Sequence, residues 1–332
     1  MLEWLENPES RPNVQTLLDT DISMPIIALT QLLHYWVTLK VAGKTPGEFR
    51  SLIRGTTGHS QGIVSSVVIA SSETDEDFKE NVRKAVGLLY WVGLFSRHEW
   101  ETVSTPLDSK SLQDSLNNEE GVPTPMLGIS GLDFTEISSF VEKANGSLAS
   151  NFQIDISLIN SSNGFICSSH PQSLHKLNTF LRDVKKPASK DEKPRITTRF
   201  LQINAPFHSR YLAGIAVRVQ EEILRYDLEF SIENIGIPVY HTETGKDMRI
   251  ENESGGVSVG LVQQICARPV AWEASTVEIG NVSYILDFGP GGIGGLVVRN
   301  LKDNSGGVKV ILASCCLEPV SGNVLLDKSF LF

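Results

Sequence analysis

Cysteine is scarce: four residues in 332, Cys167, Cys266, Cys315 and Cys316, with no C-x-x-C pair and no metal-ligand spacing with histidine. That excludes a disulfide-stapled scaffold and a zinc module; the thiols read as reduced and no metal site is expected. Basic charge is also short. The 29 Lys+Arg against 39 Asp+Glu leave a net charge of -10, which excludes sequence-independent attraction to phosphate backbones, so nucleic acid is not an expected partner. Met1 to Glu6 lacks the basic start and apolar stretch of a signal peptide, and no run approaches the roughly 18 apolar residues of a membrane span. A cytoplasmic location with no membrane partner is the expectation, and the sequon Asn145-Gly146-Ser147 then carries no weight. No internal repeat is visible. What is present is ordinary globular material, 41% hydrophobic and 20% charged, which argues against extensive disorder. The length suits one large domain with an insertion, or two domains.

Within this background the pentapeptide Gly58-His59-Ser60-Gln61-Gly62 is the feature that carries chemistry. A serine with glycines two places either side can occupy the strained strand-to-helix turn that presents a nucleophilic hydroxyl. Glycine is expected on both sides because the turn brings flanking backbone close together. Leu52-Ile53 would enter the turn, and Ile63-Val64 with Val67 to Ala70 leaves it at the apolar spacing of a buried helix. Acyl transfer or acyl hydrolysis is the first reading.

The chain divides by rhythm. Pro25 to Val41 reads as an internal helix with Ser23 as N-cap, ended by Gly43. Asp75 to Gly93 is a second long helix, and Thr105 to Pro125, rich in Ser, Asn, Pro and Gly, reads as a surface connection. Then Met126–Ile129, Phe134–Ala144, Gln153–Ile159, Gly164–Ser168, Pro171–Val184 and Thr197–Ile203 alternate as βαββαβ, the ferredoxin-like split motif. The expected architecture is α/β: a hydrolase-like body with a central, mostly parallel sheet over 1–125 and 204–314, and an inserted ferredoxin-like α+β subdomain over 126–203. Residues 315–332 are unassigned, and Lys185 to Pro194 reads as a solvated loop. In the resumed body, helices are expected over Tyr211–Leu224 and Gly260–Cys266, with strands at Ile237–Tyr240, Tyr284–Phe288 and Val308–Ala313.

Ser60 needs a base within hydrogen-bond reach to accept its proton. Seven histidines are available. His59 adjoins Ser60, but the sharp turn sends neighbouring side chains in different directions, so it reads as packing or shaping the site; His34, in an apolar helix, reads as a satisfied core residue. His98, His170, His175 and His241 lie in polar or turn-like stretches with nothing obvious to serve. His208 differs: Pro206 restricts the backbone before it, Phe207 anchors it, and Ser209 can cap a following helix. It is the candidate base.

Gly58-His59-Ser60-Gln61-Gly62, Ala205-Pro206-Phe207-His208-Ser209, Arg268-Pro269-Val270-Ala271-Trp272 and Asp287-Phe288-Gly289-Pro290-Gly291-Gly292 occur in the order seen in acyl-CoA:acyl-carrier-protein transacylases, which this sequence resembles. Leu2 to Pro8, Leu39 to Arg50 and Asn118 to Pro123 look, more narrowly, like the acetyltransferase domain of the fungal fatty acid synthase β subunit; starter-unit domains of fungal polyketide pathways are similar. The resemblance runs from about Met1 to Ala313. It implies a ping-pong reaction: Ser60, deprotonated by His208, takes an acyl group from acetyl-CoA, and the phosphopantetheine thiol of an acyl carrier protein then removes it. No tightly bound cofactor is implied. The implied partners are the carrier protein, acyl-CoA and the other fatty acid synthase subunits or domains. A backbone carbonyl near Gln264 to Cys266 would orient the imidazole in place of an acid, and the Gln61 amide would supply one oxyanion donor. His59, Val92, Gly289, Gly291 and Gly292 would line the substrate site. Malonyl-selective relatives carry an arginine where Val92 falls, so a short uncharged acyl group is favoured. Arg83, on the same helix, is expected in a surface ion pair.

The resemblance also implies an upstream Gly-Gln-Gly segment whose glutamine gives a second oxyanion bond, and this chain starts after the part that would hold it; one such donor is worth about 3 kcal/mol. Gly164 and Ser169 stand where relatives have asparagine and glycine. Three alternatives follow. One is a serine esterase or thioesterase, which would need an acid at a strand end between Ser60 and His208. A second is an inactive truncated synthase fragment. The third is a nucleotide site at Gly289 to Gly295, disfavoured because no second βα unit with an acidic strand end follows.

Overall fold

The computed structural model describes residues 3, 6–10, 12–185, 196–251, 255–277, 282–291, 293–301 and 308–313. Gly292, Cys315, Cys316, the remainder of 315–332 and most of the loop expected over 185–194 lie outside the described residues. The elements in chain order are α1 (Thr20–Ala42), α2 (Gly62–Ser71), α3 (Asp75–Val103), α4 (Ser109–Asn117), β1 (Met126–Ser130), α5 (Phe134–Asn145), β2 (Asp155–Ser161), β3 (Gly164–Ser168), α6 (Pro171–Lys185) and β4 (Thr197–Phe200). They continue as α7 (Ile215–Arg225), α8 (Val257–Cys266), β5 (Val270–Ala271), α9 (Trp272–Val277), β6 (Tyr284–Asp287), α10 (Gly294–Asn300) and β7 (Lys309–Leu312). Short helical turns at Val14–Leu17 and Pro46–Arg50 flank α1.

Buried apolar side chains fall into two clusters. The larger joins α1, α2, α3, α7 and α8 through residues such as Leu32, Tyr35, Val67, Leu88, Val92, Leu212, Val219 and Leu261. The smaller lies between one sheet and two helices: Leu127, Ile129, Phe165, Ile137, Leu174, Leu177 and Leu181. Its sheet has the order β4-β1-β3-β2-β5. The first three pairings are antiparallel, whereas β5 adds to β2 in parallel through Leu158↔Val270 and Ile159↔Ala271.

Parallel pairing in the larger part is confined, among the described residues, to β6 with β7 and a single bridge Thr56↔Val239. The Ile237–Tyr240 strand is thus reduced to two isolated bridges, that one and Tyr240↔Asp247. Its extension is blocked on one side by Pro238, which has no N–H to donate, and on the other by the turn that begins at Gly58. Leu52 sits in a turn rather than a strand.

Several boundaries differ from expectation for local reasons. α1 begins at Thr20 with Asp19, not Ser23, as N-cap; Arg97 pairs with Asp19 and Asp21 and holds that first turn, leaving Pro25 inside the helix. Gly43 closes it in the left-handed conformation, φ 64°. α1 is also long and apolar enough, by length and composition, to cross a membrane, against the expectation of no such run. It behaves here as a core helix, burying Met24, Ala28, Leu32, Tyr35 and Leu39. α3 starts from a Thr74/Asp77 capping box and continues ten residues beyond Gly93. The supposed 105–125 connection contains α4, capped by Asp108 and pinned to α6 by Asp114, which meets both His175 and Arg182. Before α7, Ser209 makes no cap; its hydroxyl donates to the Pro206 carbonyl, and Arg210–Leu212 forms a separate 3-10 turn.

Candidate active site

The turn at Gly58 to Gly62 delivers Ser60 with φ 56°, in the left-handed region that a residue with a Cβ rarely adopts. Of the four described non-glycine residues with positive φ, Ser60 and His208 (φ 59°) are two, so backbone strain concentrates at this pair. Gly58 is required: a Cβ there would stand 2.0 Å from the Gly62 carbonyl carbon. Gly62 is not, because a Cβ there would meet only Gln31 Nε2, at 3.7 Å. The expectation that both glycines are sterically needed is therefore corrected; Gly62 sits in the first turn of α2, facing a polar side chain that leaves room.

Ser60 Oγ lies 2.7 Å from His208 Nε2, across 148 residues of sequence. His208 Nδ1 lies 3.0 Å from the carbonyl oxygen of Arg268. A carbonyl only accepts, so Nδ1 carries the proton and Nε2 presents its lone pair to the serine hydroxyl. The orienting carbonyl was expected at Gln264 to Cys266. The carbonyl of Arg268 is the main acceptor, with that of Gln264 a lesser one, while the Ile265 and Cys266 carbonyls accept the amides of His208 and Ser209, at 3.2 and 3.0 Å. Burial holds the His208 imidazole well below the usual histidine range, at about 4. Neighbouring His59 pushes the same way, while the carbonyls of Arg268 and Gln264 oppose it. The ring is thus neutral, the protonation state a base requires.

Around this pair, His59 is half-buried, edge-on against Trp272, with Nε2 2.7 Å from Asn160 Oδ1 on β2. Burial lowers its pKa and the Asn160 bond offsets part of that shift. Gln61 stands just before the first turn of α2, and its amide donates to no acceptor among the described residues. Gln31 on α1 connects the elbow helix to the glycine turn after β6: its Oε1 accepts from Ser65 Oγ at 2.7 Å and its Nε2 donates to the Gly289 carbonyl at 2.9 Å. Asp287 braces that turn by accepting the amides of Gly289 and Gly294 at 2.8 and 2.6 Å. Gly289, with φ 68°, needs to be glycine; Gly291 is exposed and a Cβ there would meet nothing. Val92 is fully buried on α3, in the same core cluster as Val64 and Phe207.

Of the remaining histidines, His98 is exposed and the other four are packed or paired. His34 Nδ1 meets the Phe288 carbonyl at 2.7 Å, so it is satisfied as expected, though half-buried rather than in the core. Arg83 pairs with Glu80 at the surface, also as expected. His170 packs among Trp100, Phe152 and Tyr211, and His175 pairs with Asp114. His241, expected to serve nothing, is buried with Nε2 2.9 Å from Arg268 Nη1. Asn160 and His241 are the site neighbours the residue pattern did not single out; Asn160 lies 101 positions from His59 and His241 27 from Arg268. Cys167 and Cys266 are buried free thiols, pushed by burial up to about 12. Among the described residues no group of three or more His, Cys, Asp or Glu is placed to hold a metal ion.

A family model described as "Starter unit:ACP transacylase in aflatoxin biosynthesis" matches residues 1–208. A fatty acid synthase subunit beta of Saccharomyces cerevisiae is 41% identical over 322 residues, 94% of this chain and 15% of that protein. Fatty acid synthase beta subunit pigK of Monascus ruber is 38% identical over 319 residues, again 94% of this chain and 15% of the relative. The chain therefore spans about 15% of the length of these relatives. In three dimensions it is similar to a malonyl CoA-acyl carrier protein transacylase from Clostridium perfringens, with TM-score 0.65 and 17% identity over 95% of this chain and 81% of that one. It is similar also to an acyl carrier protein S-malonyltransferase from Vibrio cholerae, with TM-score 0.62 and 18% identity over 91% and 82%. These likenesses give the fold as the α/β transacylase fold, and with the match over residues 1–208 the chain belongs to the starter unit:ACP transacylase family.

Proposed function

We propose that this chain moves a short, uncharged acyl group, with acetyl the preferred one, from acyl-CoA through an acyl-Ser60 intermediate to the phosphopantetheine thiol of an acyl carrier protein. In this reading 1–125 and 204–314 form the acyl-transfer body, 126–203 is the inserted subdomain, and the rest of a cytoplasmic fatty acid or polyketide-starter synthase is the wider partner. The observation that carries it is the 2.7 Å contact between Ser60 Oγ and a buried, neutral His208.

In the first half-reaction His208 Nε2 takes the serine proton as Oγ attacks the thioester carbon. Negative charge collects on the former carbonyl oxygen, where the Gln61 amide at the start of α2 is available to donate. Collapse expels the CoA sulfur, which leaves with the proton from Nε2. In the second half the carrier thiol gives its proton to Nε2, attacks the acyl carbon, and Ser60 is regenerated with that proton. His59, Val92 and the Gly289 turn would shape the acyl site. A buried Val92 offers a free carboxylate no partner, which supports acetyl over malonyl.

The test is intact-mass measurement after brief exposure to a mixture of acyl-CoAs. Acetyl should add to Ser60, Ser60→Ala and His208→Ala should abolish labelling, and carrier protein should discharge the adduct faster than water does. Discharge by water at the same rate as by carrier would favour an esterase, and no adduct from any acyl-CoA would overturn the proposal.

A further inference from the structure

The carbonyl that fixes the His208 tautomer belongs to a residue whose side chain is itself tied down. Arg268 follows α8, and its amide donates to the Gln263 carbonyl at 2.9 Å. Its Nη2 donates to Gln263 Oε1 at 2.7 Å, and its Nη1 lies 2.9 Å from His241 Nε2. His241 is in turn immobilised. It has 0% exposure, its amide donates to the Lys246 carbonyl, and its own carbonyl accepts from Ser275 Oγ and the Gly245 amide. The amides of Glu243 and Thr244 approach Nδ1 at 3.1 and 3.4 Å. Donors thus converge on both ring nitrogens, while a neutral imidazole accepts on one. The shorter, charge-assisted contact with the guanidinium assigns the acceptor to Nε2.

We infer that His241 and Arg268 are positioning residues for the proposed base. The guanidinium is held at one nitrogen by His241 and at the other by Gln263, and Pro269 restricts the Arg268 backbone from the other side. The Arg268 carbonyl is thereby aimed at His208 Nδ1 with little freedom to turn away. Neither residue touches Ser60; both act through the carbonyl. Without the anchor the carbonyl swings, the imidazole samples the tautomer with its proton on Nε2, and that form cannot accept from serine. This inference deepens the acyl-transfer reading of Ser60 and His208 and rests on it.

His241→Leu and Arg268→Met remove the anchor and keep the backbone carbonyl; His241→Gln restores an acceptor near the position of Nε2. Both disruptive variants should lower kcat for Ser60 acylation roughly 10- to 100-fold with KM for acyl-CoA unchanged, the scale of a misplaced catalytic group. His241→Gln should recover most of the loss. A substrate-independent readout is NMR of 15N-labelled histidine: the His208 ring should be a single Nδ1–H tautomer in the unaltered chain and a mixture in the two variants. A single tautomer and unaltered kcat in folded variants would overturn the inference. Should His241→Leu fail to fold, Arg268→Met decides by the same criteria; failure of both to fold would assign the pair to stability and also overturn it. Should the unaltered chain take acyl groups from no acyl-CoA yet show the single tautomer lost in the variants, the positioning role stands while the proposed reaction fails.

Discussion

Two glycines bracket Ser60, and their surroundings predict opposite outcomes for the same substitution. In Gly58→Ala the new methyl would stand 2.0 Å from the Gly62 carbonyl carbon, 2.1 Å from its oxygen and 2.3 Å from the Ile63 nitrogen. Ordinary contact begins near 3.4 Å, so backbone on one side of the turn must move by on the order of 1 Å, a displacement that costs a reacting pair about a hundredfold. The pair concerned is the 2.7 Å Ser60–His208 contact, built on that same turn. In Gly62→Ala the methyl would come only within 3.7 Å of Gln31 Nε2. That variant should acylate at close to the unaltered rate and gain about 0.5–1 kcal/mol, because alanine replaces glycine in a helix. The assay is the rate of Ser60 acylation by labelled acetyl-CoA, followed by intact mass, beside thermal unfolding of each variant. Gly58→Ala reacting within a factor of three of the unaltered chain, at an unchanged transition temperature, would refute the elbow argument; so would equal inactivation by the two substitutions.

Two further predictions concern charge. His208 is neutral above about pH 4, so kcat/KM should be flat near neutrality and fall only as pH drops through that value. The folded pKa lies below the unfolded value of about 6.5, so between the two the unfolded chain binds the extra proton. Stability is therefore full above about pH 6.5 and declines toward pH 4, by up to roughly 3 kcal/mol. Denaturant titrations at pH 7 and 5 should show the loss, and His208→Gln should reduce it; identical pH slopes for the two proteins would count against a buried neutral imidazole. Val92→Arg should shift acyl preference toward malonyl-CoA, read from competition between the two thioesters, and an unchanged acetyl preference would remove Val92 from the acyl site.

The elbow was legible because it is local: five consecutive residues dictate the turn, and the apolar run after it is uniformly buried in α2. The alternation of β1 to β4 with α5 and α6 was legible for the same reason, since each element carries its own period. What escaped depends on partners remote in sequence. Gly93 reads as a stop because glycine ends helices, yet here its missing Cβ admits the α1 backbone, with Thr20 O 2.3 Å from where a Cβ would be and Thr20 Oγ1 donating to the Gly93 carbonyl. α4 looks like a linker until Asp114 finds Arg182 and His175. The orienting carbonyl could only be guessed within a few residues, because a backbone oxygen leaves no mark in the residue types. His241 looked idle because its ligand, Arg268, is 27 positions away.

The pieces of the site share one strand. β2 presents Asn160 to His59 beside the nucleophile. At its other end Asp155 accepts from the amide and Nε of Arg210, two residues past the base, at 3.0 and 2.9 Å. Between them Ser157 Oγ lies 2.9 Å from Ser168 Oγ, which donates its proton to the Phe207 carbonyl at 3.0 Å. β2 takes β5 as a parallel neighbour immediately after Arg268 and Pro269, so the carbonyl that orients His208 is carried by the lead-in to its fifth strand. The left-handed His208 backbone is thus gripped from the β2–β3 side through Phe207 and Arg210 and from the α8 side through Ile265 and Cys266. A strained base held from two sides cannot relax toward an ordinary conformation without breaking hydrogen bonds to both, which is how a fold keeps a donor–acceptor pair at 2.7 Å against the pull of its own backbone preferences.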